Sequence, residues 1–268
     1  MESRNPVLNR EFGRDGQAYA GFGPAPAATA GVDAATLEEM YRRQSTTGQP
    51  MTVDDVVVKT GLLFVLLLFG AVAGWQIVGS LPWVAWGSLL VAFGLAMVIV
   101  FKRVTSPPLI MAYALVEGVF LGGISRFYQE AYPGIVLQAV IGTFTAFGMM
   151  LVLYKTGLLR ATPRFRKMMM VAMFSYMGIA LVSLVSAFFG VGGGWGFYGV
   201  GGLGLLLCVA GVALASFSLV LDFDSIEQGV AAGLPEKESW MGAFGLVVTL
   251  VWLYLELLRL LAILQGRE

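Results

Sequence analysis

The chain has 268 residues, of which 57% are hydrophobic and 13% are charged, and its 17 basic and 17 acidic residues give a net charge of zero. Soluble domains carry about 25% charged residues, so this composition excludes an ordinary soluble protein, and the zero net charge offers no basis for nucleic-acid binding. The chain has no histidine, the commonest metal ligand, and its one cysteine, Cys208, excludes a disulfide framework.

The first 51 residues form a separate region. They mix Arg, Glu, Gly, Pro and Ala and contain no apolar segment, which is unlike a signal peptide. We predict a cytosolic, disordered tail over residues 1–51 and a membrane domain over residues 52–268. Thr52, followed by Asp54 and Asp55, is typical of a helix start with acids in its first turn.

Seven apolar segments follow the tail. No charged residue occurs within residues 60–101 or 168–221, and a bilayer-spanning helix needs about 20 apolar residues. The pattern predicts an all-α integral membrane protein with seven transmembrane helices. The predicted spans are residues 57–78, 82–101, 107–127, 134–154, 167–189, 198–227 or slightly beyond, and 240–264.

Basic residues gather on one side of these spans. Fourteen of the 17 basic residues lie in the tail, at the start of the first span, or in the second, fourth and sixth loops. Of the other three, Arg126 and Arg267 lie on the other side and Arg259 lies within the last span. Loops rich in Lys and Arg stay in the cytosol. We therefore expect a multi-pass protein of the cell membrane with its N-terminus in the cytosol and its C-terminus outside.

Ionisable residues inside the spans are the candidate functional groups, because charge in a bilayer is costly and usually faces the bundle interior. They are Glu117 in the third span, Asp222 and Asp224 in the sixth, and Glu256 and Arg259 in the seventh. Asp222 and Asp224 are two residues apart and point to nearly opposite faces of a helix.

Three of these acids have a structural as well as a functional interpretation. Glu256 can pair with Arg259 three residues later in its own helix, Asp222 can lie at a solvated helix end, and Glu117 can form a hydrogen bond between helices. The functional alternative is a pair of carboxylates that shares a proton and switches helix packing with pH. Carboxylates are also natural ligands for calcium, so a gated cation path is a second consequence.

Three segments carry a family resemblance. LVLDFDSIEQG (219–229) and GLVVTLVWLYLELLRLLAIL (245–264) resemble the last two helices of the Bax inhibitor-1 family, and AYALVEGVFLGGIS (112–125) resembles its third helix. The resemblance covers roughly residues 52–264. The tail and MTVDDVVVKTG (51–61) are similar to a bacterial branch of that family.

The resemblance implies a bundle with the last helix at its centre and two acids near the cytosolic side that sense pH and gate a calcium leak. By position, Asp224 matches the acid of the family's helix-six aspartate motif, and Glu256 matches the acid of its Leu-Tyr-Leu-Asp pattern. Here Glu stands in place of Asp, which moves the carboxylate by one methylene. Some relatives also have an acid in the second helix; this chain has none there, and Glu117 is the candidate substitute.

Two functions are therefore expected from the sequence. The first is a pH-sensitive calcium or cation leak channel with Asp224 and Glu256 as the proton-sensing gate, and with Glu117, Asp222 and Arg259 as accessory residues. The alternative is a non-conducting regulator that contacts a membrane protease or a stress-response protein. We expect no enzyme and no cofactor, because the chain has no zinc-type His motif, no Ser–His pair and no Gly-x-Gly-Asp setting for its acids.

Overall fold

The computed structural model describes residues 49–103, 105–194 and 196–266, so nearly all of the predicted tail (residues 1–51) lies outside it. Within the described residues, seven helices are long and apolar enough to cross a membrane, which confirms the predicted all-α multi-pass fold. They are α1 (Val53–Val78), α2 (Trp83–Lys102), α3 (Pro107–Ala131), α4 (Ile135–Lys155), α5 (Pro163–Phe188), α6 (Gly201–Ala231) and α7 (Ser239–Gln265).

The first helix begins as its sequence predicts. Thr52 lies just before α1, and its hydroxyl accepts a hydrogen bond from the backbone N–H of Asp55 at 3.1 Å. The Asp55 carboxylate in turn accepts a hydrogen bond from the backbone N–H of Thr52 at 3.0 Å. This reciprocal capping box satisfies two N–H groups that helix geometry leaves without partners.

Short connections make successive helices antiparallel, so the bundle has two ends. At one end α1, α3, α5 and α7 begin, and nine of the basic residues that the structure describes lie at or near it; we call it the basic end. The other end, which holds Arg126, is the opposite end. The nine residues are Lys59, Lys102, Arg103, Lys155, Arg160, Arg164, Arg166, Lys167 and Lys237.

Helices α1 and α3 pack with their backbones in contact. Gly70 and Gly74 on α1 face Gly118 and Gly122 on α3, and a Cβ atom added to any of the four would overlap a backbone carbonyl of the other helix. Glycines four residues apart on facing helices allow this approach and strengthen van der Waals contact in a bilayer. The sequence pattern alone does not predict which helix these Gly-x-x-x-Gly pairs contact.

The last helix lies at the centre of the bundle. Helix α7 contacts α1, α3, α4 and α6, and it is among the most buried helices, together with α3 and α6. By contrast, α2, α4 and α5 are largely exposed in the isolated chain, as expected for lipid-facing helices. The expectation that the last helix is central is therefore confirmed.

The segment before α1 is fastened to the loop between α6 and α7. The backbone N–H of Met51 donates to the carbonyl of Leu234 at 2.7 Å, and the N–H of Glu236 donates to the carbonyl of Gln49 at 2.8 Å. Lys59 adds an ion pair with Glu236 at 3.0 Å. This arrangement, the tail–loop clamp, ties the start of the membrane domain to the loop that precedes the central helix.

Candidate functional site

The central polar group of the bundle is Glu256 on α7. Its side chain is only 4% exposed, although it lies in an apolar helix. The Tyr176 hydroxyl on α5 donates to Glu256 Oε1 at 2.8 Å, and the indole N–H of Trp252 donates to the same oxygen at 3.2 Å. A buried carboxylate needs such donors because the bilayer interior offers no water to replace them.

Arg259 supplies the positive charge for this carboxylate. One nitrogen of its guanidinium group, Nη1, lies 3.2 Å from each carboxylate oxygen of Glu256, so the pairing within one helix that the sequence allowed is present. The guanidinium also lies 4.5 Å from the centre of the Tyr198 ring, a cation–π contact. Tyr198 donates from its hydroxyl to that of Tyr176 at 3.0 Å, which closes a ring of contacts through Glu256, Arg259, Tyr198 and Tyr176.

A glycine makes room for this network. A Cβ atom at Gly211 on α6 would lie 2.6 Å from Glu256 Oε2 and would overlap the Tyr176 hydroxyl. The backbone of α6 therefore passes directly beside the carboxylate. The contact fixes the depth at which α6 and α7 meet, because only a residue without a side chain fits here.

Asp224 lies in a second polar cluster near the basic end. Its carboxylate forms an ion pair with Arg166 at the start of α5 and accepts a hydrogen bond from Gln228 at 2.8 Å. Nearby, the Tyr154 hydroxyl at the end of α4 donates to Glu227. We call the Arg166–Asp224 pair the α5–α6 latch, since it joins two helices that otherwise make few contacts.

Asp222 points away from Asp224, as helix periodicity predicted. Its Oδ1 atom lies 3.8 Å from the position of a Cβ at Gly245 on α7. Its Oδ2 atom is buried and has no hydrogen-bond partner within the described residues. Asp222 and Glu238 line one cavity of about 220 Å³ near the basic end.

Glu117 on α3 is also buried, at 8% exposure. Tyr113, one turn earlier, packs edge-on against Phe244 of α7, with ring centres 5.0 Å apart. Among residues 49–103, 105–194 and 196–266, Glu117 forms no hydrogen bond within 3.5 Å and no ion pair. The interhelical hydrogen bond that the structural interpretation predicted for Glu117 is therefore not formed.

The comparison with protein families gives a match over almost the whole chain. Residues 5–266 match the family described as Bax inhibitor 1 like. The chain belongs to this family. The search of curated proteins returned no match. The resemblance inferred from the last two helices is thus confirmed over a longer stretch than those motifs covered.

In this Bax inhibitor-1-like bundle, the two acids of the predicted pair lie apart. Glu256 contacts α6 at Gly211, whereas Asp224 lies 13 residues farther along the same helix. At 1.5 Å per residue this separates them by roughly 20 Å. The structure therefore does not bring Asp224 and Glu256 together to share a proton, and each carboxylate has an arginine partner of its own.

Sequence reasoning missed the partners that define both clusters. Arg166 was counted only as a cytosolic charge, and Tyr176, Tyr198 and Tyr154 look like ordinary aromatic residues of apolar spans. Nothing local distinguishes them, because each pairs with a residue far away in the chain. Within the described residues, no three acidic or Cys side chains lie close enough to form a metal site.

Proposed function

We propose that this Bax inhibitor-1-like protein is a pH-sensitive cation leak pathway of the cell membrane, with calcium as the candidate permeant ion. In this proposal the tail lies in the cytosol, the C-terminus lies outside, and the chain performs no catalysis. Asp224 and Glu256 act at two separate depths rather than as one carboxylate pair.

The observation that carries the proposal is the buried Glu256 network. An ionised carboxylate with its arginine is costly in an apolar bundle, and such groups commonly mark ion or proton pathways. Tyr176, Trp252 and Arg259 hold Glu256 where α6 passes at Gly211. A small change in the packing of α6 and α7 would therefore alter the position of this charge at the interface between the two helices.

Two features of the basic end support the proposal: a cavity lined by carboxylates and the α5–α6 latch. The cavity lined by Asp222 and Glu238 presents carboxylates, which are suitable ligands for calcium. On another face of α6, the α5–α6 latch depends on the negative charge of Asp224. Loss of that charge would release Arg166 and let α5 separate from α6. In this proposal the leak increases as the latch weakens.

The experiment is calcium flux into liposomes that contain the purified protein, measured from pH 6 to pH 8. We expect Asp224→Asn to raise the flux at pH 8 toward the acidic value, because the variant carries no charge to hold Arg166. We expect Glu256→Gln to change the flux at every pH. Asp54→Asn is the matched control, since Asp54 is an exposed acid at the same end.

Two results would count against the leak proposal. Wild-type liposomes that admit no calcium or monovalent cation at any pH would refute conduction. A flux with the same pH profile in wild type and Asp224→Asn would refute the latch as the pH-sensitive element.

The tail–loop clamp favours a second candidate function, that of a non-conducting regulator. The clamp joins the last residues of the tail, through Gln49 and Met51, to the loop before α7. A protein that binds the tail, such as a membrane protease or a stress-response component, would then be coupled to the central helix. The test compares the effect of each variant on cells with the effect of deleting the gene. If deletion of residues 1–47 abolishes the protein's effect while Asp224→Asn and Glu256→Gln retain it, the regulator function is supported instead.

A further inference from the structure

The lining of a second cavity contains no acidic residue. This cavity is a cleft of about 400 Å³ between α1, α3, α4 and α7, and its walls are almost entirely carbon. Three of its residues, Leu68, Val72 and Phe144, are at least half exposed in the isolated chain. In a membrane these positions face lipid, so the mouth of this lipid-facing cleft opens to the hydrocarbon core of the bilayer.

The cleft has the length of one lipid leaflet. Along α1 it extends from Phe64 to Gln76, which is about 18 Å at 1.5 Å per residue. Half of a hydrocarbon core of about 30 Å is about 15 Å. Phe64 lies near the middle of α1 and Gln76 lies near its end, so the cleft runs from the bilayer centre to the opposite end of the bundle.

Polar groups collect at the interfacial end of the cleft. Trp75 and Gln76 line it there, and tryptophan is typical of the membrane–water interface. Arg126 on α3 does not line the cleft but follows Ser125, which does; it donates from Nη1 to the carbonyl of Trp75 at 2.9 Å and from Nε to Glu130 at 2.7 Å. Within the described residues its Nη2 makes no hydrogen bond, so it can still donate to an anionic group.

We propose that this cleft binds one glycerophospholipid from the leaflet at the opposite end of the bundle. One acyl chain lies along α1 between Phe64 and Gln76, and the phosphate accepts hydrogen bonds from Arg126 and Gln76. The length, the opening toward lipid and the cation at the polar end all fit this occupant. A soluble ligand does not fit the opening, because the mouth faces the bilayer.

The test is native mass spectrometry of the full chain released from detergent after addition of dioleoylphosphatidylglycerol or dioleoylglycerol, which lacks the phosphate. We expect one phosphatidylglycerol per protomer, retained about tenfold more strongly than dioleoylglycerol, which corresponds to about 1.4 kcal/mol. Arg126→Gln removes this preference. Val140→Trp fills the cleft and removes the bound lipid, whereas Val182→Trp, on the exposed face of α5, leaves it bound.

A second measurement covers the case in which Val140→Trp does not fold. Lipid brominated on its acyl chain quenches nearby tryptophan, so wild type is expected to lose more fluorescence than Trp75→Phe. Equal lipid retention in wild type and a folded Val140→Trp overturns the proposal, as does equal quenching. A dimer that dissociates in Val140→Trp would show that a second copy occupies the cleft and would also overturn it.

Discussion

Gly211 on α6 and Glu256 on α7 touch across the central helix interface, with 2.6 Å between Glu256 Oε2 and the position that a Cβ at Gly211 would take. The contact places a charged side chain against bare backbone at the middle of the bundle. Because Gly211 has no side chain, α6 can approach α7 closely even though the Glu256 carboxylate lies between them.

Changing Gly211 to Ala is expected to destabilise the protein by about 1–3 kcal/mol, the usual cost of overpacking. The added methyl group would displace the Glu256 carboxylate and the Tyr176 hydroxyl together. Thermal unfolding in detergent measures the effect. Gly178→Ala is the control, because within the described residues no atom outside its own turn of helix lies within 4 Å of the new methyl group. Equal melting temperatures for the two variants would contradict the tight contact.

Removing the charge of Glu256 alone is expected to cost more stability than removing both members of its ion pair. Glu256→Gln leaves the Arg259 charge without its carboxylate, and breaking a buried pair in this way costs about 3–5 kcal/mol. The double variant Glu256→Gln/Arg259→Gln should recover much of that loss. A double-mutant cycle of unfolding free energies tests this, and strictly additive losses would show that the pair is not coupled.

Exchanging the charges of the α5–α6 latch is expected to restore its effect on flux. Arg166→Asp or Asp224→Arg alone places like charges together, so each should raise cation flux at pH 8. The double exchange rebuilds an opposite-charge pair and should lower the flux toward that of wild type. Lys167→Gln, an exposed neighbour with the same charge as Arg166, is the control. Failure of the double exchange to lower the flux would argue against a latch.

The backbone contact between α1 and α3 makes Gly118 sensitive to the smallest substitution. Gly118→Ala should push α3 away from the Leu67 carbonyl and lower the unfolding free energy by about 1–3 kcal/mol. Gly94→Ala on α2 serves as the matched change, since among residues 49–103, 105–194 and 196–266 no atom beyond its own turn of helix lies within 4 Å of the new methyl group. Thermal unfolding of the two variants in detergent measures the difference in stability. If Gly118→Ala is as stable as Gly94→Ala, the packing of α1 against α3 does not depend on the close backbone contact at Gly118.

The sequence by itself determined the features that depend on local composition and periodicity. Apolar length predicted seven spans, and Thr52 with Asp55 predicted the start of α1. Helix geometry alone separated the faces of Asp222 and Asp224 and allowed Glu256 to pair with Arg259. These features hold for each helix in isolation, so no knowledge of its neighbours was needed.

Only the tertiary structure decided which helix meets which, and at what depth. It paired Asp224 with Arg166, joined Glu256 to Tyr176, and placed the two acids roughly 20 Å apart. The helices are apolar around most of their circumference, so no amphipathic stripe marks the inner face. The rotation and depth of each helix are instead set by close contacts such as Gly118 with Leu67 and Gly211 with Glu256, which link residues distant in sequence.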